Sequence, residues 1–189
     1  MFFNRQNNKE EIELRKAAEN LRKGSAEAFK ILYDNYQHKV YRYCLRILNS
    51  EALAKDAFQE TFINVYEHRF DFQGKNFAAW LFTIARNSCM NILRNKRESG
   101  PSLAEDSQDF QLTENEDDFG LKQYIGKAIA MLPLPFREAL VLREYQEYSY
   151  QEIAEILKID VSLAKIRVYR ARLILRKLLK PIHKELYES

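Results

Sequence analysis

YSYQEIAEILKIDVSLAKIRVYRARLILRKLL, residues 148–179, is the stretch from which the rest of the chain is best understood. Ser149 and Glu152 have capping-box spacing, in which each side chain satisfies a backbone N–H left open at a helix start. Ile153, Ala154 and Leu157 then form the apolar face of a short helix, and Lys158, Ile159 and Asp160 make a tight turn. Asp160 can cap a longer helix in which Val161, Ala164, Val168, Ala171 and Leu175 turn inward. Ser162, Lys165, Ile166, Tyr169 and Arg170 turn outward. Residues 158–184 hold nine basic side chains and one acidic. A basic helical face is most often solvated surface, but small Ala154 and Ala164 stand where two helices must approach closely. A short helix, a turn and a longer basic helix make a helix-turn-helix, whose second helix enters the major groove. Lys165, Ile166 and Tyr169 are placed for base edges, and Arg167, Arg170 and Arg172 for phosphates.

The charge pattern places this motif in a larger plan. The net charge of +3 is made of +5 over residues 1–98, −7 over 99–120 and +5 over 121–189. With 5 Gly, 4 Pro and helical apolar spacing nearly throughout, the chain is expected to be all-α, with two helical domains. Residues 99–120, SGPSLAEDSQDFQLTENEDDFG, carry no basic residue and no periodicity, which predicts a flexible acidic linker. Fully extended, it would reach roughly 70–80 Å, about two turns of duplex DNA. The start of the sequence lacks the apolar run of a signal peptide and no stretch has the length of a membrane span, so a cytoplasmic protein is expected. Cys44 and Cys89 lie far apart without metal-ligand neighbours, and His38, His68 and His183 have no triad or ligand spacing. Buried thiols, no metal and no cofactor are the expectation.

The first block reads as helices over 9–22, 25–48, 51–69 and 76–95, and the second as helices over 121–131, 135–146, 149–157 and 161–180. In IARNSCMNILRNKR, residues 84–97, Ile84, Ala85, Ser88 and Ile92 share a face with Leu81. Asn87, Met90, Asn91, Arg94 and Arg97 share the opposite one, which has no carboxylate to pair with and so suits an electronegative partner. Six aromatics between residues 66 and 82 precede and enter this helix. Phe77, Leu81 and Phe82 are expected in the core. Phe72, Gly74, Lys75 and Asn76 occupy a loop beside Trp80, and exposed rings next to amides and cations suit unstacked bases. On the preceding helix Asp56, Gln59, Glu60 and Ile63 line one side at i, i+3, i+4 and i+7, while Ala54, Phe58, Phe62 and Val65 point inward. An acidic and amide surface in a basic block suits a basic protein partner as well as plain solvent.

DAFQETFINVYEHRFDFQGKNFAAWLFTIARNSCMNILRNKR followed, past the linker, by LPLPFREALVLREYQEYSYQEIAEILKIDVSLAKIRVYRARLILRKLL resembles the sigma-two and sigma-four domains of extracytoplasmic-function sigma factors, members of the sigma-70 family. The resemblance covers roughly residues 25–97 and 121–180 and implies three segments. Residues 1–98 would form a sigma-two-like domain, 99–120 the linker and 121–189 a sigma-four-like helix-turn-helix domain. Asp56, Gln59, Glu60 and Ile63 would dock on the clamp helices of the largest subunit of core RNA polymerase. Phe72, Lys75, Asn76, Trp80, Asn87, Asn91 and Arg94 would recognise and hold the melted minus-ten element. The second domain would read the minus-thirty-five element through Ser162, Lys165, Ile166, Arg167, Tyr169, Arg170 and Arg172 and touch the polymerase flap, while the acidic linker would lie in channels that otherwise hold nucleic acid. The resemblance also implies an anti-sigma partner, in many members of the family a membrane-held one.

The sequence departs from the family at several positions. Lys158 stands where Gly is frequent, so its turn either holds a non-glycine residue in a strained geometry or takes another one. Ser162 and Leu163 replace a common Gly-Thr pair, and Ile166 a common Ser. A conventional helix-turn-helix regulator is the rival reading, but it gives the Asp56–Glu60 face and the aromatic loop no task. A nucleic-acid enzyme would need a phosphate loop or a metal-spaced ligand set, and neither is in the sequence, so no catalysis is expected.

Overall fold

The computed structural model describes residues 3–74, 76–98 and 116–187, except for the side chains of 3–10, 97, 116–119, 122 and 181–187. Within them the chain is helical, without a strand: α1 (Phe3–Arg22), α2 (Ala26–Leu48), α3 (Glu51–Glu67), α4 (Phe77–Glu98), α5 (Glu116–Ala130), α6 (Leu134–Glu144), α7 (Tyr150–Leu157) and α8 (Val161–Tyr187). The breaks have local causes. Gly24 at φ +88° ends the first turn region, and Ser25 then caps α2 by accepting the Ala28 N–H. Asn49 closes α2 in the left-handed region, and the Ser50 side chain caps α3.

Several boundaries differ from those expected: α4 runs on to Glu98 and α6 ends earlier, at Glu144. Helix α1 begins at Phe3, and α3 stops at Glu67 before a single 3-10 turn over Arg69–Asp71. Helix α8 continues across Pro181 to Tyr187, although that residue donates no backbone N–H. Helix α5 starts at Glu116, inside the predicted linker.

Helices α1 to α4 bundle around Leu21, Leu32, Val40, Tyr43, Ile47, Leu81 and Phe82, all essentially inaccessible. Helices α6 to α8 enclose Leu140, Leu142, Ile153, Ile156, Ala164 and Val168, with α5 against α8. Each fully buried leucine or isoleucine contributes about 1.5–3 kcal/mol. The two units are not separate bodies in this structure. Helix α7 lies on α4, α6 and α5 lie on α2, and the buried side chains of both units form one continuous core. Cys44 and Cys89 are buried free thiols, as expected. Contact with Cys44 and burial both push the Cys89 thiol up.

Candidate polymerase and nucleic-acid interfaces

Three faces carry the residues singled out in the sequence. On α3, Ala54, Phe62 and Val65 are buried and Phe58 half-buried. That orientation leaves Asp56 and Gln59 exposed, Glu60 half-buried and Ile63 57% exposed. Beside the carboxylates runs a shallow apolar groove that periodicity alone did not reveal, lined by Phe29, Tyr33, Phe58, Phe62, Ile63 and Tyr66. Its rings brace one another edge to face, Tyr33 with Phe62 at 4.8 Å and Phe29 with Tyr66 at 5.5 Å. Just beyond, the Arg69 guanidinium lies 4.3 Å from the ring centres of both Tyr66 and exposed Phe70.

The second face is the loop before α4 and the outer side of that helix. The expectation of an exposed ring at Phe72 fails: the side chain is 4% exposed, packed on Phe77 at 5.5 Å and Trp80 at 5.4 Å. Three large apolar rings within nine residues bury more area by stacking on one another than by facing water, so Phe72 supports the loop from beneath. Trp80 remains half-exposed above it. Lys75 and the Arg97 side chain lie outside the described residues. Asn76 has two tasks: its Oδ1 accepts the Ala79 N–H at 3.0 Å, capping α4, and its Nδ2 donates to Glu152 Oε1 at 3.1 Å. Asn87, Asn91 and Arg94 are exposed, and Arg94 donates to Asn91 Oδ1 at 3.3 Å. Met90, expected outward, is half-buried against the core.

Arg86 was not singled out in the sequence, yet its Nε donates to Glu138 Oε1 at 2.6 Å across the seam between the units. Burial raises the Glu138 carboxyl, while Arg86 and, more weakly, Arg167 pull it down. A signal for this pair was available. Glu138 interrupts the run FREALVL on the inward side of a helix, and a buried carboxylate needs a cation.

The third face is the helix-turn-helix. Both halves of the Ser149–Glu152 capping box form, and α7 closes on Lys158 at φ 52°, ψ 53°, so the non-glycine residue does take the left-handed conformation. Ala154 and Ala164 are buried where α7 and α8 meet. Ser162, Lys165, Ile166 and Arg170 are exposed, Tyr169 is 63% exposed, and Arg167 is half-buried. Val161, expected inward, is 37% exposed, because the first helical position projects past the helix it would have to cover. Arg172 is exposed but engaged: Nε and Nη2 both donate to Glu144 Oε1, at 2.9 and 2.5 Å, and that bond raises its already high pKa. Among the described residues no cluster of His, Cys, Asp and Glu could hold a metal ion, and no helix is long and apolar enough to cross a membrane.

Comparison with known proteins gives this arrangement its family. Residues 32–99 match Sigma-70 region 2 and residues 122–175 match Sigma-70 region 4. The RNA polymerase sigma-H factor of Pseudomonas aeruginosa is 31% identical, over 88% of this chain and 94% of the relative. The ECF RNA polymerase sigma factor SigW of Bacillus subtilis is 32% identical, over 91% of this chain and all of the relative. Among solved structures, the sigma factor RpoE of Bartonella quintana, in complex with the anti-sigma factor NepR, matches with a TM-score of 0.71 at 28% identity, covering 82% of this chain and 98% of that one. CnrH, in complex with the cytosolic domain of CnrY, shares the fold at the same TM-score of 0.71 and 23% identity, over 89% and 98%. The helix-turn-helix, the amide-rich helix α4 and the acidic face of α3 therefore occur together in a chain that belongs to the extracytoplasmic-function sigma factors of the sigma-70 family, proteins that direct promoter-specific initiation by RNA polymerase.

Proposed function

We propose that the three faces divide the work of initiation. Residues 1–98 form the polymerase-docking and minus-ten unit, and residues from Glu116 onward the minus-thirty-five unit, joined by the acidic segment. Asp56, Gln59, Glu60 and Ile63 dock on the clamp helices of the polymerase: the carboxylates meet its basic side chains, and the apolar groove beside them takes an aliphatic ridge. Asn76, Trp80, Asn87, Asn91 and Arg94, with Lys75, capture the minus-ten strand as it opens, amides on base edges and guanidinium on phosphate. Phe72 acts by holding Trp80 in place. Ser162, Lys165, Ile166 and Tyr169 read the upstream duplex in the major groove, with Arg167, Arg170 and Arg172 on its backbone. Capturing unstacked bases offsets a local cost of a few kcal/mol, and the factor supplies only binding energy. The polymerase carries out the chemistry, so the protein is not itself an enzyme, and it works in the cytoplasm. The anti-sigma factor NepR binds the related sigma factor RpoE, and a partner covering the α3 groove or the α4 face would silence this chain in the same way.

The observation that carries this reading is the segregation of an acidic, apolar face on α3 from carboxylate-free amide and guanidinium groups on α4. The test mixes the full chain with sigma-free core RNA polymerase, isolates the complex by size exclusion, and transcribes fragmented genomic DNA. A stable complex giving discrete new start sites is the expected result. No association with core, together with sequence-specific duplex binding by the chain alone, would overturn it.

A further inference from the structure

Arg86 precedes Asn87 on α4, and ten residues earlier stands Asn76 at the start of the same helix. Both donors are occupied by carboxylates of the second unit, Arg86 by Glu138 of α6 at 2.6 Å and Asn76 by Glu152 of α7 at 3.1 Å. The rest of the seam aligns them. Arg137 Nη1 donates to the Ile47 carbonyl at 2.9 Å, the Arg46 guanidinium lies 3.8 Å from the Tyr145 ring centre, and the Phe82 and Tyr148 rings meet at 5.3 Å. A carboxylate and a phosphate offer a guanidinium the same acceptor oxygens in nearly the same geometry. The Arg86 side chain keeps 25% of its surface exposed, whereas that of Glu138 keeps 3%, so the cation can be reached from outside once α6 moves away.

We propose that Arg86 is a further promoter-binding residue, taking a backbone phosphate of the opened strand, and that Glu138 at Arg86 and Glu152 at Asn76 occupy these donors in the free protein as intramolecular stand-ins for nucleic acid. The inference rests on the assignment of α4 to promoter DNA and adds its regulation. Docking of the second unit and strand capture are mutually exclusive at this seam, because each uses the same hydrogen-bond donors. Removing either end of the ion pair breaks the pair, but only removal of the carboxylate tightens strand binding. An ion pair with only a structural role would make both variants fail together.

The experiment uses the free full-length chain and a short single strand of random sequence, since a phosphate contact is indifferent to base identity. Fluorescence anisotropy is read over a series of salt concentrations. Glu138→Gln keeps side-chain shape but removes the charge that holds Arg86, leaving a weaker neutral acceptor that a phosphate can displace, and is expected to tighten binding several-fold, with the slope of log K against log salt steeper by roughly 0.7 for one added phosphate contact. Arg86→Gln is expected to bind no tighter than the parent, and the double variant to fall back to the Arg86→Gln value. Glu152→Gln, at a less buried site and still able to cap α7, is expected to tighten binding in the same direction, and decides the question if Glu138→Gln does not fold. Equal changes in the two ion-pair variants, or no change in Glu138→Gln and Glu152→Gln, overturn the proposal. Failure of the parent chain to join core polymerase would instead overturn the sigma assignment without touching this series.

Discussion

At the level of single residues, Tyr43 and Lys158 are held in states their neighbours impose. Tyr43 is wholly buried, and its hydroxyl finds no hydrogen-bond partner. Burial pushes its phenol well above the ordinary tyrosine range, helped by Glu138, Cys89 and Cys44 and opposed by Arg86. A phenol raised in the fold contributes stability that is present below the ordinary value of about 10 and is lost as pH rises through the raised one. Tyr43→Phe removes the orphaned hydroxyl, so it is expected to stabilise the fold by about 1 kcal/mol in urea unfolding at neutral pH, and to flatten the loss of stability above about pH 10. Lys158 holds a left-handed conformation that costs a side-chain-bearing residue about 1–2 kcal/mol, partly offset by the greater unfolded-state freedom of glycine. Lys158→Gly is expected to raise stability by about 0.5–1 kcal/mol, read as a higher midpoint in thermal unfolding.

At the level of the element, α8 separates its outward side chains by what they already contact. Arg172 already donates two bonds to Glu144, whereas Lys165 and Tyr169 face solvent. Binding to the upstream promoter duplex by the holoenzyme is therefore expected to fall roughly ten- to hundredfold in Lys165→Ala, with altered base preference. It should fall much less in Arg172→Ala, whose loss is uniform across sequences. Equal losses measured by footprinting across a panel of promoter variants would contradict this division. Upstream of α8, the capping box sets the angle of entry into α7. Ser149→Ala should cost about 1 kcal/mol of stability, measurable by denaturant titration, because the Glu152 N–H loses its acceptor.

At the level of the whole molecule, the α3 face lies away from the seam between the two units, which leaves the proposed docking face uncovered while α4 is engaged by α7. Asp56→Lys together with Glu60→Lys is expected to abolish association with core polymerase in size exclusion while the helical circular dichroism is unchanged. Unchanged association would move the docking face elsewhere. Asn87→Ala is expected to impair promoter opening, read by permanganate footprinting, more than recruitment.

Helix content, the capping box, the inward set Ala164, Val168 and Ala171 and the acidic side of α3 were all legible in the sequence, because each depends on spacing within one element and on whether side chains are apolar, small or charged. The sequence also separated two basic blocks by an acidic one, a charge pattern read directly from composition. Local spacing could not say that Phe72 lies under Trp80, since a ring in a loop is exposed or buried according to what stacks on it. Nor could it place Arg86 against Glu138 or Asn76 against Glu152, pairs separated by 52 and 76 residues. Those contacts exist only because α6 and α7 pack back onto α2 and α4, so whether the Arg86 and Asn76 side chains are free or occupied is decided by long-range packing, for which no single helix carries a signal.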